Sequence, residues 1–251
     1  MRVEIHDPRL TRPLEPAEVA AQLVGEQITA VERRGKYVVV RFESGRVLLI
    51  HLRMTGNLLL VRDGSEQADP YRRAIVRLDN DSDVVYRDVR RFGTWLLLEA
   101  EDVEPYLSAR VGAEPLLGDF TVEALRARLH GRRAPIKAAL LDQRTVAGLG
   151  NIYADEALWR ARIHPLRPAR SLSGADIRAL HRGIRRAFAD GIARQGATLR
   201  DYRTPDGARG GMQEDFKVYG RAGLPCRRCR TPIAKTRAGG RGTSFCPNCQ
   251  N

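Results

Sequence analysis

Short apolar runs separated by polar turns dominate the first part of the chain. The runs KYVVVRF (36–42) and RVLLIHL (46–52) are joined by Glu-Ser-Gly, and AIVRL (74–78) and DVVYRDV (83–89) flank the turn DNDSD. A further run, TWLLLEA, occupies residues 94–100. Runs of this length between turn residues are typical of strands in antiparallel hairpins. The pattern therefore predicts an antiparallel β-sandwich or barrel.

After about residue 105 the apolar positions follow a helical period. The segment 121–130 places Val122, Leu125 and Leu129 on one helical face. A longer helix is predicted over 173–196, where Ser173 and Asp176 have the spacing of a capping box. Its apolar stripe consists of Ile177, Leu180, Ile184 and Phe188. The second part of the chain is thus predicted to be helical.

The motif AGLGNIY at 147–153 interrupts the helical pattern between these two segments. Gly148 and Gly150 permit a ligand to approach the backbone closely, and the next helix is expected to begin near Ile152. Exposed N–H groups at a helix start bind phosphate. An ordinary turn between helices would carry similar residues, so the motif alone leaves both interpretations open.

Charge is distributed unevenly along the chain. The whole sequence carries a net charge of +13, yet residues 1–105 contribute −2, residues 106–212 contribute +9 and residues 213–251 contribute +6. A basic excess confined to the C-terminal three-fifths indicates a polyanionic partner there. No apolar run approaches the length of a membrane span, and the N-terminus has no secretory pattern. A cytoplasmic protein without a membrane partner is therefore expected.

All four cysteines lie in the last 26 residues, in the pattern C-x2-C-x16-C-x2-C. They are Cys226, Cys229, Cys246 and Cys249. This spacing is typical of a zinc ribbon, and four thiolates form a closed structural site. Two disulfides or four separate thiols are the alternatives, although disulfides are rare in cytosolic proteins. The arm between the cysteine pairs is basic, and a zinc ribbon with a basic arm favours nucleic-acid binding.

Six segments occur together and in a recognisable order. They are RRGKY (33–37), HLRMTG (51–56), RDVRRFGTW (87–95), AGLGNIYADEAL (147–158), VYGRAGLPC (218–226) and the terminal ribbon. Together they closely resemble the formamidopyrimidine-DNA glycosylase and endonuclease VIII family of base-excision repair enzymes. The pair RRGKY and RRFG is more similar to the formamidopyrimidine, or 8-oxoguanine, branch.

The resemblance implies an α+β multidomain fold with one structural Zn²⁺. A truncated antiparallel β-sandwich would occupy residues 1–105, a helix-two-turn-helix domain residues 106–212 and a zinc-finger hairpin residues 213–251. Damaged double-stranded DNA would run across the cleft between the halves. The implied activity is that of a bifunctional DNA glycosylase and AP lyase that removes oxidised purines and nicks the abasic site. A monomer acting on the bacterial nucleoid is expected.

The resemblance also implies roles for single residues. Lys36 matches the proton donor of β-elimination, and Arg241 matches a phosphate-binding arginine that serves as proton donor in the second strand-cutting step. Asn151 matches a residue that binds the phosphates flanking the lesion. Arg132 and Lys137 match positions that contact the DNA backbone.

A second group of matched positions concerns the extruded base. Met54, Arg90 and Phe92 match three residues that fill the gap left by the flipped base and wedge the duplex. Tyr71 stands where many members have a DNA-contacting histidine. The segment 195–216 matches a loop that covers the flipped base, and its glycines fit a lid.

The N-terminus departs from the family pattern. Family members begin with Pro-Glu-Leu-Pro-Glu after removal of the initiator methionine, and the proline amine attacks the sugar. This chain begins Met-Arg-Val-Glu-Ile, and VEIHDPRL resembles a strand that follows the family's first helix. We therefore expect that helix and the catalytic Pro-Glu pair to be missing, through a start codon placed too far downstream or a real truncation.

Three hypotheses remain open at this point. The first is the bifunctional glycosylase and lyase, and the second is a catalytically inactive protein that binds damaged DNA or abasic sites. The third, a zinc-ribbon RNA-binding or ribosome-associated protein, would explain the charge and the cysteines but not RRGKY together with RRFG.

Overall fold

A computed structural model describes residues 1–62 and 69–251. The chain divides into two compact units. The first unit comprises Met1–Leu107 and Gln195–Gly211, and the second comprises Ser108–Arg194 and Met212–Asn251. Within the described residues no helix is long and apolar enough to cross a membrane.

The first unit contains two four-stranded antiparallel sheets, which confirms the predicted N-terminal β architecture. One sheet has the order β1 (Arg2–Ile5), β6 (Arg72–Arg77), β7 (Asp83–Asp88) and β5 (Gly56–Val61). The other has the order β2 (Ile28–Arg34), β3 (Tyr37–Phe42), β4 (Val47–His51) and β8 (Thr94–Leu98). Helix α1 (Pro16–Leu23) belongs to the same unit, and helix α2 (Ala100–Ser108) reaches its boundary at Leu107.

The core of the first unit follows from the alternation of apolar residues along these strands. Phe42, Leu48 and Ile50 are buried together with Tyr86 and Trp95. Helix α1 adds Val19 and Leu23 to the same cluster. Strand residues two apart face the same side of a sheet, so the inward positions of β3, β4 and β8 meet in one apolar layer.

The second unit contains four α-helices, two short 3-10 helices (Ala169–Ser171 and Met212–Asp215) and the C-terminal hairpin. The α-helices are α3 (Val122–Leu129), α4 (Ile136–Leu141), α5 (Asn151–Ala161) and α6 (Gly174–Ala193), and the hairpin pairs β9 (Ala234–Ala238) with β10 (Arg241–Phe245). The predicted capping box is present, because the Ser173 hydroxyl accepts from the Asp176 N–H at 3.2 Å and the Asp176 carboxylate accepts from the Ser173 N–H at 2.8 Å. The apolar stripe of α6 packs into the helical core.

The ribbon belongs to the same compact unit as the helices, whereas the sequence predicted separate domains at 106–212 and 213–251. The buried Glu156 carboxylate on α5 accepts from three successive backbone N–H groups, those of Lys217, Val218 and Tyr219, at 2.9 to 3.1 Å. These bonds hold the chain that leads into the ribbon against α5.

The segment 195–211 also lies differently from the prediction, which placed it in the helical domain. It groups with the first unit because its backbone bonds to β5. The Asn57 amide oxygen accepts from the Arg203 N–H at 3.0 Å, and the Leu60 N–H donates to the Pro205 carbonyl at 2.7 Å. Residues 195–211 of the predicted lid segment 195–216 therefore belong to the same unit as the β-sandwich, whereas residues 212–216 belong to the second unit.

Candidate nucleic-acid interface

Met54, Arg90 and Phe92, the three predicted wedge residues, form one exposed cluster in the first unit. The Arg90 guanidinium lies 3.0 Å from the Met54 sulfur and 4.6 Å from the centre of the Phe92 ring. Met54 is 60% exposed and Phe92 is 52% exposed. Two large apolar side chains that lie together on the surface beside a cation are suited to binding another molecule, and the wedge role itself stays a prediction.

A buried carboxylate that sequence reasoning missed fixes this cluster. Asp88, at the end of β7, is almost completely buried. One carboxylate oxygen accepts from the Arg90 N–H at 3.2 Å and from the Thr55 hydroxyl, and the other accepts from the Phe92 N–H at 2.9 Å and the Gly93 N–H at 2.8 Å. Asp88 therefore determines the backbone path that carries two of the three wedge residues.

Lys36 lies in the tight turn between β2 and β3, where Gly35 adopts a positive φ of 59°. Its side chain is exposed. Nearby on β4, burial and then the positive charges of Arg53 and Lys36 lower the pKa of His51 to about 4. His51 is thus neutral at pH 7, and its Nδ1 accepts from the Arg53 N–H at 3.0 Å.

Tyr71 is also exposed, but its ring is engaged by neighbouring cations. The guanidinium groups of Arg87 and Arg73 lie 4.9 Å and 5.9 Å from the ring centre. The position resembling a DNA-contacting histidine therefore carries an aromatic ring in cation–π contacts.

In the second unit, the hairpin brings Arg241 and Asn151 close together. The turn residues Gly239 and Gly240 both have positive φ, 55° and 74°, as a two-residue hairpin loop requires. Arg241 follows this turn directly, and its side chain is exposed. The Asn151 amide donates to the carbonyl of Gly242, the next residue, at 3.3 Å.

Lys137 is placed differently from the prediction that it contacts the DNA backbone. Its side chain is 0% exposed, and its ammonium lies 2.6 Å from the Asp155 carboxylate. The ammonium also donates to the Gly242 carbonyl at 2.9 Å and to the Thr243 hydroxyl at 2.8 Å. With all three donors directed into the protein, Lys137 supports the hairpin from behind and cannot reach a surface phosphate.

Burial controls the electrostatics of this pair. Desolvation raises the pKa of Asp155 to about 6, even though Lys137 opposes the shift. The second Asp155 oxygen accepts from the Ser244 N–H at 2.9 Å. Lys137 lies on α4 and Asp155 on α5, and both side chains also bond to residues of β10. The buried ion pair therefore holds the two helices against this strand.

Arg132 is half-buried and forms an ion pair with Asp142 at 3.1 Å. Arg144 bonds to the same carboxylate at 3.2 Å. Two guanidinium groups sharing one carboxylate leave a net positive charge at the loop before α5. A contact between Arg132 and a DNA backbone remains a prediction.

The AGLGNIY loop leads into the start of α5 at Asn151. Gly150 is the N-cap of α5 and supplies no side-chain cap. The Gln143 side chain holds the loop by accepting from the Gly148 N–H at 3.0 Å and donating to the Leu149 carbonyl at 2.9 Å. The start of α5, which is the positive end of its helix dipole, and the Asn151 side chain thus lie beside Gly242. This positive helix end favours an anion such as phosphate.

The four cysteines form a site that fits one Zn²⁺. Their sulfurs all lie within 4.8 Å of one another, and tetrahedral coordination with Zn–S bonds of about 2.3 Å requires separations of about 3.8 Å. The N–H groups of Arg228 and Cys249 point at sulfurs at 3.4 Å, and the Trp159 indole N–H points at the Cys226 sulfur at 3.5 Å. These donors stabilise thiolate charge, so the prediction of a structural zinc ribbon is supported.

Three family models match the chain. They are the formamidopyrimidine-DNA glycosylase N-terminal domain over residues 1–95, the formamidopyrimidine-DNA glycosylase H2TH domain over residues 111–203, and the zinc finger found in FPG and IleRS over residues 223–251. The matches cover both units and agree with the predicted order of segments.

Curated relatives extend over the whole chain. The formamidopyrimidine-DNA glycosylase of Roseiflexus sp. is 46% identical over 251 residues, which cover 100% of this chain and 91% of the relative. The protein of the same name from Chloroflexus aggregans is 47% identical over 243 residues, covering 97% and 87%.

Solved structures agree with the relatives. The Lactococcus lactis Fpg in complex with abasic-site DNA has a TM-score of 0.93 at 36% identity, covering 100% of this chain and 91% of that one. The MutM (Fpg) protein of Thermus thermophilus has a TM-score of 0.88 at 42% identity, covering 99% and 90%. The chain therefore belongs to the formamidopyrimidine-DNA glycosylase family.

Proposed function

We propose that the protein is a bifunctional DNA glycosylase and AP lyase that removes oxidised purines from duplex DNA and nicks the resulting abasic site. Family membership supports a glycosylase function in base-excision repair. The related solved structures hold DNA containing Fapy-dG, an abasic site or carbocyclic 8-oxo-G. The observation that carries the proposal is the exposed Met54–Arg90–Phe92 cluster fixed by the buried Asp88.

The cluster suits an enzyme that extrudes a base. A glycosylase cannot reach its bond inside the stack, so the damaged nucleotide must leave the helix. Apolar side chains then occupy the gap and keep the neighbouring bases apart. We assign this role to Met54 and Phe92, and we assign to Arg90 the hydrogen bonds to the cytosine left without its partner.

The second unit supplies the phosphate contacts in this proposal. Arg241 and Asn151, brought together at the Gly242 carbonyl, bind phosphates beside the lesion. Arg132 adds a backbone contact, whereas Lys137 holds the hairpin in place. Lys36 donates a proton during β-elimination and Arg241 donates one in the second strand cut.

The nucleophile in this proposal is the terminal proline amine of the family pattern. An α-amino group has a pKa of roughly 7.7–8.0, so an appreciable fraction is unprotonated near neutral pH. Lysine amines begin near 10.4 and need desolvation to react. A polypeptide that lacks the proline would instead be a damaged-DNA or abasic-site binding protein without catalysis, which is the alternative function.

We further propose that the partner is damaged double-stranded DNA, bound by a monomer in the bacterial cytoplasm at the nucleoid. The two relatives compared above are bacterial proteins of the same family. The charge distribution supports DNA as the partner, because the excess of +15 lies in residues 106–251. The monomeric state and the location stay predictions.

The test compares binding and excision on matched duplexes. Duplexes of one sequence would carry 8-oxoguanine, a formamidopyrimidine, an abasic-site analogue or no lesion. We expect tighter binding to the abasic analogue than to the undamaged duplex, and excision of both oxidised purines by a polypeptide with Pro-Glu-Leu-Pro-Glu in the family position. Equal affinity for all duplexes, or excision of none by that polypeptide, would contradict the proposal.

A further inference from the structure

Arg53 adopts a backbone conformation that normally favours glycine. Its φ is 55°, in the left-handed region. This conformation is unfavourable for an L-residue, whereas glycine adopts it freely. The bond from the Arg53 N–H to His51 explains why the backbone turns here. It does not explain why an arginine occupies the turn.

Arg91 shows what compensates such a conformation elsewhere in the same unit. Its φ is 58°, and its guanidinium makes two bonds to the nearly buried Asp7 carboxylate, at 2.6 Å and 2.8 Å. The Arg53 side chain is exposed and makes no hydrogen bond or ion pair with residues 1–62 or 69–251. Among these described residues, the Arg53 guanidinium is therefore available to a bound molecule.

The position of Arg53 indicates the chemistry of that molecule. Arg53 immediately precedes Met54, whose sulfur contacts Arg90. Lys36 and Arg53 both place positive charge near His51. Positively charged side chains therefore lie together beside the wedge, although residues 1–105 carry a net charge of −2. An exposed guanidinium in such a group suits a phosphate, which it can bind through two parallel hydrogen bonds.

We propose that Arg53 is a further DNA-binding residue, whose guanidinium binds a backbone phosphate next to the point where Met54 enters the duplex. The inference rests on the proposed function, because it takes damaged duplex DNA as the ligand. It adds a phosphate contact to the first unit, which otherwise contributes the wedge and Lys36.

The test uses Arg53→Gly, which removes the charge and also relieves the backbone. The matched control is Arg162→Gly, because Arg162 is likewise exposed and left-handed, with φ 60°. It caps the C-terminal end of α5, about 16 Å from Asn151 at the other end of this 11-residue helix. Arg53→Lys keeps a charge at the tested position. Affinity would be measured on a duplex with an abasic-site analogue between 0.05 M and 0.2 M salt.

We expect Arg53→Gly to raise the thermal midpoint by about 1–4 °C, because the backbone strain is removed. The same variant should bind the abasic-analogue duplex about eightfold more weakly at 0.1 M salt, with a salt slope flatter by about 0.9, as the loss of one phosphate contact requires. Arg53→Lys should recover part of the affinity, and Arg162→Gly should change affinity less than twofold.

Unchanged affinity of Arg53→Gly, or a loss equal to that of Arg162→Gly, would overturn the inference. Failure of the proposed function itself would look different, because the unaltered chain would then show no preference for the abasic-analogue duplex over undamaged DNA.

Discussion

Replacing Asp88 by asparagine should loosen the wedge, although the two side chains have nearly the same volume. Asparagine has the shape of aspartate but replaces one acceptor oxygen by an NH₂ donor. If the asparagine NH₂ group took the place of the oxygen that now accepts from Phe92 and Gly93, at 2.9 Å and 2.8 Å, these two N–H groups would face a donor. In the opposite orientation the nitrogen faces the Arg90 N–H and the Thr55 hydroxyl. This orientation costs less, because the Arg90 N–H retains the Thr55 oxygen at 3.1 Å and the Thr55 hydroxyl can rotate so that its oxygen accepts from the new NH₂ group.

Even this better orientation is costly. Bonds to a charged group contribute about 1.5–3 kcal/mol each, and bonds to a neutral group about 0.5–1.5 kcal/mol. The two N–H bonds that remain would each lose about 1 kcal/mol, and the lost bond to the Arg90 N–H would add a similar amount. We therefore expect Asp88→Asn to lower the free energy of unfolding of the first unit by about 3 kcal/mol.

The assay is urea unfolding followed by the fluorescence of Trp95, which packs 5.7 Å from the Tyr86 ring. A Trp159→Phe background leaves Trp95 as the single tryptophan. Asp83→Asn is the matched control, because Asp83 lies at the other end of β7 and pairs with Arg77, a partly exposed ion pair worth at most about 1 kcal/mol.

The Asp88→Asn variant should lose DNA affinity as well as stability. Binding to an abasic-analogue duplex should weaken more than binding to undamaged duplex, because the backbone under Arg90 and Phe92 is no longer fixed. A loss of less than about 1 kcal/mol with an unchanged preference for the abasic analogue would refute the role given to Asp88.

Four further predictions follow from the two units. Metal analysis should find one zinc per chain, and chelation should abolish DNA binding while the β-sheet circular dichroism persists; a zinc-free protein with normal binding would contradict this. Arg241→Ala should weaken binding to every duplex and flatten the salt slope by about 0.9, whereas Met54→Ala should impair only lesion-duplex binding; equal losses on all duplexes would show that the roles are misassigned. Lys137→Met should cost about 3–5 kcal/mol in urea unfolding, because it leaves a buried carboxylate unpaired; a loss below about 1 kcal/mol would mean that the ammonium is dispensable. The hydrogen bond from Arg91 lowers the pKa of Asp7 below 3.8, so this pair stabilises the first unit above that pH and its contribution is lost as the pH falls through the lowered pKa; acid unfolding that is identical in Arg91→Gln would disprove it.

The regular elements that the sequence predicted are those with a strong apolar period. β3, β4, β7 and β8 carry apolar runs, and α6 carries both a stripe and a capping box. β2 escaped prediction because ITAVERR is mostly exposed and has the pattern of a polar segment. Tertiary pairing with β3, rather than local pattern, makes it a strand.

The candidate site was predictable only in part, for a related physical reason. Exposed wedge residues and cysteine spacing are visible in the sequence, whereas the burial of a polar side chain depends on what folds over it. Asp88 was missed because its five donors come together only in the folded turn. Lys137 was assigned to the DNA backbone by resemblance, but packing of β10 over α4 encloses its amine.

The most direct test of the account is borohydride trapping on an 8-oxoguanine duplex, with the linked residue identified by mass spectrometry. Two polypeptides would be compared: the 251 residues alone, and the same residues preceded by the family's Pro-Glu-Leu-Pro-Glu segment and opening helix. A Schiff base forms only on an unprotonated amine held at the sugar, so we expect trapping through the added proline and negligible trapping by the 251 residues alone. Efficient trapping by the 251 residues alone, or a link through Lys36 in either polypeptide, would contradict the account.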